Sequence, residues 1–187
     1  MDRIQKTIGI ILLIMATVLL PGCDMYNDLI RLDEGVKEAW SQVETQLQRR
    51  YDLIPNYVET VKGYAAQEKD VLVRVTEARS RVGQAKSIPD KIEANNELTS
   101  ALSRLLVVVE QYPQLKSNEN FIRLQDELAG TENRIAVARR RYNEAVKMYN
   151  VAVRSFPQNM LAKWFSFQPA AFFEAPQAAK EAPKVKF

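Results

Sequence analysis

At 187 residues, with 47% apolar and 26% charged side chains, the chain is long enough for one self-supporting core plus accessory segments. A net charge of +3 with both signs interleaved gives no clustered basic surface, so nucleic acid is excluded as a partner. The absence of histidine removes imidazole metal sites and the commonest general base, and a single cysteine excludes an intramolecular disulfide.

Residues 1–23 read as a targeting unit. Arg3 and Lys6 form a positive start, and residues 7–22 carry no charge. A helix of that length covers roughly 24 Å at ~1.5 Å per residue, short of a hydrocarbon core of ~30 Å. It has the size of a signal-peptide core rather than of a permanent span. The ending Leu20-Pro21-Gly22-Cys23 resembles a bacterial lipobox, which implies an acylated Cys23 as a lipid anchor; Pro21 departs from the small residue usual at its position. An uncleaved anchor with an incidental cysteine is the alternative. The positive residues favour a cytoplasmic N-terminus, so the body is expected outside the cytoplasm, on the periplasmic side of the inner membrane.

Residues 24–156 repeat apolar side chains at spacings of 3 and 4, the helical period. The first stripe runs Val36, Trp40, Val43, Leu47, Ile54, Val58, Val61, Ala65 and continues through Leu72, Val75 and Val82. Pro55 predicts a kink or break, because it lacks the amide donor and biases Ile54 away from helical geometry; Gly63 is the second candidate for the turn. Ser87-Ile88-Pro89-Asp90 is a helix-start signal. The stripe Leu98, Leu102, Leu105, Val109, Tyr112 follows and ends at Pro113. Ser117-Asn118 offers caps for the longest element, whose stripe runs Phe121, Leu124, Leu128, Thr131, Ile135, Ala138, Tyr142, Ala145, Tyr149, Ala152, Phe156 before Pro157. Narrow stripes of this kind require partner helices. The expected fold is all-α, an antiparallel up-down four-helix bundle with long helices behind the N-terminal segment.

Many blocks in order carry a family resemblance. They include Ala39-Trp40-Ser41-Gln42-Val43-Glu44, Arg49-Arg50-Tyr51-Asp52-Leu53-Ile54-Pro55-Asn56, Val61-Lys62-Gly63-Tyr64, Glu132-Asn133-Arg134-Ile135-Ala136, Arg141-Tyr142-Asn143 and Ser155-Phe156-Pro157. Together, over roughly residues 26–174, they resemble the LemA family. The resemblance implies an up-down four-helix bundle behind an N-terminal membrane segment, with no established enzymatic activity. The lipobox-like cysteine is a departure from the plain anchor of many relatives.

Within the stripes a few polar residues stand out. Arg50 occupies a place where an apolar residue is expected, so a buried partner such as Glu132 or Glu144 is predicted. Asn27, Asn56, Asn143 and Asn150 read as amides that fix helix register by hydrogen bonding. Arg139-Arg140-Arg141 points away from the stripe. No phosphate loop, nucleophile elbow or zinc spacing is present in the sequence, so neither catalysis nor a cofactor is expected.

Residues 157–174 form an aromatic-rich segment. Phe156, Trp164, Phe165, Phe167, Phe172 and Phe173 fall close together, with Lys163 as the one charge among residues 156–173. Two readings stand: a fold-back that caps the bundle, or a surface for membrane or partner contact. Residues 175–187 read as a flexible tail. The functional expectation is a membrane-tethered scaffold or interaction module with a protein partner in the bacterial envelope. The alternative is a peripheral lipid-binding or membrane-remodelling protein that uses the Phe/Trp segment.

Overall fold

The computed structural model describes the backbone of residues 2–174 and the side chains of Gln5 and residues 24–174. The signal-peptide and Cys23 readings therefore lie outside the described side chains, and the tail 175–187 outside the described residues. Among the described residues the chain is all-helical, without strands. In order come α1 (Asp2–Lys62), α2 (Lys69–Gln84), α3 (Ile88–Val109), the short α4 (Pro113–Lys116), α5 (Glu119–Arg154) and α6 (Gln158–Trp164).

Helix α1 runs through Pro55 without a break and ends at Lys62, beside Gly63. A proline inside a helix leaves the carbonyl four residues earlier without its donor. That carbonyl belongs to Tyr51, and the Nε–H of Arg79 on α2 donates to it at 3.2 Å. The Arg79 guanidinium also lies 3.9 Å from the centroid of the Tyr51 ring, so a cation–π contact holds it in place. The expected break thus moves to Gly63, a poor helix residue, because a tertiary donor replaces the missing amide. The following loop is pinned by Tyr112, whose hydroxyl donates to Glu68 and accepts from Gln67, both at 2.9 Å.

The other ends follow local chemistry. Ser87 forms a capping box with Asp90: its Oγ accepts from the Asp90 amide at 3.2 Å while its own amide donates to the Asp90 carboxylate. Asn118 accepts from the Phe121 amide at 3.0 Å at the start of α5. Helix α6 ends in a Schellman arrangement: the Ser166 amide donates to Lys163 and the Phe167 amide to Ala162. The φ of +60° that this turn imposes falls on Ser166, where glycine is usual.

The chain divides into two compact units, residues 1–39 with 144–170, and residues 40–143 with 171–187. The first buries Leu29 and Val36 from α1, Val146, Tyr149, Ala152 and Val153 from α5, and Ala162 from α6. The second holds a core of Ile54, Tyr57, Val61, Leu72, Val75, Leu98, Leu105, Val109 and Phe121, drawn from α1, α2, α3 and α5. The sequence stripe is shifted here in one place. Tyr57 is fully buried and Val58 only half-buried, so the buried positions here run 54, 57, 61, 65 at steps of 3, 4 and 4.

Two stability predictions test these ends and joints. Arg79→Leu leaves the Tyr51 carbonyl unpaired and should cost about 1–3 kcal/mol. In a Pro55→Ala background, where the amide donor is restored, that cost should shrink, as a double-mutant thermal-melting cycle will read. Ser166→Gly should raise the melting temperature, because removing the Cβ relieves about 1 kcal/mol of left-handed strain.

Candidate functional site

Phe156 and Trp164 are 80% and 84% exposed, and Met160, one helical turn before Trp164 on α6, is also exposed. Phe156 was expected to end the buried stripe of α5, but the helix stops at Arg154 and the side chain leaves the stripe. Phe165 is half-exposed and Phe167 partly buried. Both rings pack on Tyr26 of α1, at centroid distances of 4.5 and 6.1 Å. All of these belong to the unit that contains residues 1–39.

Phe172 and Phe173 belong to the other unit and behave differently. Phe172 is half-exposed, but Phe173 is 4% exposed and is not a surface contact. It lies against Trp40, which in turn packs edge-on against Tyr142, and Arg139 covers it at 5.8 Å. The Asn143 amide group holds the Phe173 backbone in both directions: Nδ2 donates to its carbonyl at 3.0 Å and Oδ1 accepts from its amide at 2.8 Å. Tyr142 donates to the Ala171 carbonyl. In the first unit Asn150 makes the same two-way contact with Ala170. Asn143 and Asn150 thus serve an extended segment rather than helix register, and Asn27 and Asn56 are exposed. An amide side chain carries a donor and an acceptor side by side, so it can stand in for a neighbouring strand.

The second unit also contains a polar centre. Arg50 on α1 is 2% exposed. Its Nη1 donates to Glu132 and to the Thr99 hydroxyl, each at 2.9 Å; its Nη2 donates to the Asn95 side chain at 2.7 Å and to the Asn95 carbonyl at 3.2 Å. Asn95 is itself held by the Lys91 carbonyl. Of the two partners expected for Arg50, Glu132 rather than Glu144 makes the pair, from a half-exposed rather than a buried position, and α3 supplies acceptors that the sequence did not single out. Burial pulls the Arg50 guanidinium below its ordinary value, and the Glu132 carboxylate opposes that shift. Tyr57, two turns along the same face of α1, was not singled out as a site residue; the 3–4 spacing of 54, 57 and 61 was its available signal. Among the described residues no group of His, Cys, Asp and Glu is placed to hold a metal ion.

Arg50→Ala should lower stability by about 1–3 kcal/mol, since it leaves the buried Asn95 acceptors without their donor, while the half-exposed Glu132 carboxylate turns to water. Arg50→Lys, which keeps the charge but loses the fork geometry, should fall between. Thermal melting of the full chain reads both. Burial also pushes the Tyr57 phenol up to about 12. An acid whose folded pKa lies above its unfolded value of about 10 stabilises fully below pH 10 and loses that contribution as pH rises toward 12. Tyr57→Phe should therefore flatten the alkaline decline in melting temperature.

Comparison with known proteins places the chain. The LemA family model matches residues 39–187. The chain is 27% identical over 175 residues to magnetosome protein MamQ 2 of Paramagnetospirillum magneticum, covering 80% of this chain and 64% of that one. It is 26% identical over 174 residues to magnetosome protein MamQ of Magnetospirillum gryphiswaldense, covering 79% and 64%. It is 25% identical over 152 residues to protein LemA of Metamycoplasma hominis, covering 80% and 68%. The chain thus spans just under two thirds of the length of the MamQ relatives. With a family match across most of its length and the helical build described above, this chain belongs to the LemA family.

Proposed function

We propose that this protein is a membrane-tethered, non-catalytic helical-bundle protein of the bacterial cell envelope that acts as a scaffold or interaction module. In this reading residues 1–23 attach it, with Cys23 as the lipid anchor, and the body lies outside the cytoplasm. The observation that carries the interaction role is the exposure of Phe156, Met160 and Trp164 in the unit that contains residues 1–39. Large apolar side chains left exposed on a folded chain mark contact surfaces.

Within the unit of residues 40–143, Glu44 pairs with Lys91 and Arg50 with Thr99, numbers that rise together, so α1 and α3 point the same way. Arg50 pairs with Glu132 and Tyr57 with Phe121, numbers that run oppositely, so α5 is antiparallel to α1. Tyr51 with Arg79, and Arg81 with Glu97, set α2 against both α1 and α3, and the short connections 63–68 and 85–87 support an antiparallel α2. These pairings favour an up-down-up-down bundle. A zero-length carbodiimide cross-link between Glu44 and Lys91, found by peptide mass spectrometry, is the expected signature; failure to detect it on the folded chain would count against this topology.

A second reading, direct lipid binding by the same aromatic side chains, is favoured by Trp164, because indole rings prefer headgroup depth. A photo-cross-linking amino acid in place of Trp164 separates the two in cells. The leading reading expects a discrete protein adduct, the second an adduct to lipid, and no adduct above background would remove both. Trp164→Ala, at a side chain that is almost fully exposed, should abolish whichever function the adduct reveals while leaving the melting temperature nearly unchanged. Intact mass of the mature protein tests the anchor: cleavage before Cys23 with added acyl mass is the expected result.

A further inference from the structure

Residues 171–174 join the unit of residues 40–143 as an extended strap, outside any helix. The hydrogen bonds that α3 and α5 give the strap go to its main chain. Tyr142 donates to the Ala171 carbonyl at 2.8 Å, and Asn143 engages both backbone groups of Phe173. The Asn96 side-chain amide donates to the Glu174 carbonyl at 3.4 Å. Bonds of this kind suit any extended backbone and select no side chain. Among residues 171–174 only the Phe173 side chain is buried, against Trp40 and with Arg139 beside its ring. Main-chain bonds combined with a pocket for one side chain are how folded domains bind extended peptides. The strap is thus held as a ligand is held, in a seat built by α1, α3 and α5.

The turn that leads toward the strap favours its release. Ser166 holds φ at +60° where the chain leaves α6. Left-handed backbone is strained at a residue that carries a Cβ, and the strain lasts only while the chain turns there. Strain in a short connection is the condition under which a segment leaves its own copy for the equivalent seat in another. Pro169 favours an extended connector, because its ring biases Gln168 toward extended backbone.

We propose that the seat also takes the strap of a second copy, so that two chains exchange the segment beyond Ser166 and form a twofold dimer, driven by relief of that turn. The occupant follows from the chemistry of the seat. Every copy presents an extended backbone with phenylalanine at the matching position. The contacts are the same within one copy and between two, so their contributions cancel. Relief at Ser166 favours exchange, and the loss of independent motion on association opposes it, so the dimer grows with concentration. Phe156, Met160 and Trp164 take no part in the seat, so the inference does not rest on the contact role given to them.

Para-azidophenylalanine in place of Phe173 in the full chain, close to phenylalanine in size, tests the exchange. Equal amounts of protein grown on ordinary and on heavy nitrogen are mixed, concentrated and irradiated, and the cross-linked peptides are identified by mass. The expected adduct joins position 173 to the peptide that carries Trp40, with a share that pairs one isotope with the other. Adducts whose two peptides always carry the same isotope would confine the strap to its own copy and overturn the proposal. Absence of an adduct at Trp40 would overturn it as well. Ser166→Gly relaxes the turn in the closed copy and should lower the mixed-isotope share by about fivefold or more, the equivalent of the strain it removes. An unchanged share in that variant would also overturn the proposal.

Discussion

The carbonyl of Tyr51 is the point on which the described architecture turns. Pro55 deprives it of its helical donor, and an unpaired carbonyl at that position would end or kink α1 one turn before Tyr57. Arg79 supplies the missing donor from α2 and is itself steadied against the Tyr51 ring. With the helix unbroken, Arg50 and Tyr57 lie two turns apart on one face, since seven residues return close to the same direction on a 3.6-residue helix. Both then border one cavity. A break at Pro55 would have sent them to different places, and neither the guanidinium network nor the cavity would exist in this form.

Arg50 shows how a buried charge is tolerated. Its guanidinium loses hydration that apolar packing cannot replace, and four acceptors from Thr99, Asn95 and Glu132 compensate through two of its nitrogens. Such a centre contributes more to the choice of helix partners than to net stability, because any other register would leave the charge unpaired. The Asn143 and Asn150 amides solve a related problem for an extended segment, whose backbone groups have no strand to pair with. Each amide offers a donor and an acceptor to one residue, Phe173 or Ala170.

The two halves of the aromatic segment diverge for a physical reason. Phe173 is carried by backbone bonds into contact with Trp40, so its ring is buried. Phe156 and Trp164, just past the end of α5 and on the short α6, stay exposed. Sequence composition marks all six aromatic positions alike. Hydrophobicity says that a ring prefers burial; it does not say which ring finds a partner within its own chain.

The helical class, most of the buried positions, the cap at Ser87, the need of Arg50 for an acidic partner and the family were legible in the residues alone; the choice of Glu132 over Glu144 was not. The family rests on the resemblance of many motif blocks in order; the others rest on local spacing, or on the rule that a charge at an apolar position needs a counterpart. The passage of α1 through Pro55, the burial of Tyr57 in place of Val58, the duty of Asn143 and Asn150 and the split of the aromatic segment were decided only in three dimensions. In each of these a local preference was overruled or completed by a group distant in sequence: Arg79 for Pro55, Phe121 for Tyr57, Phe173 for Asn143, Trp40 for Phe173. Periodicity records which face of a helix is apolar, whereas hydrogen-bond partners thirty residues away leave no mark in it.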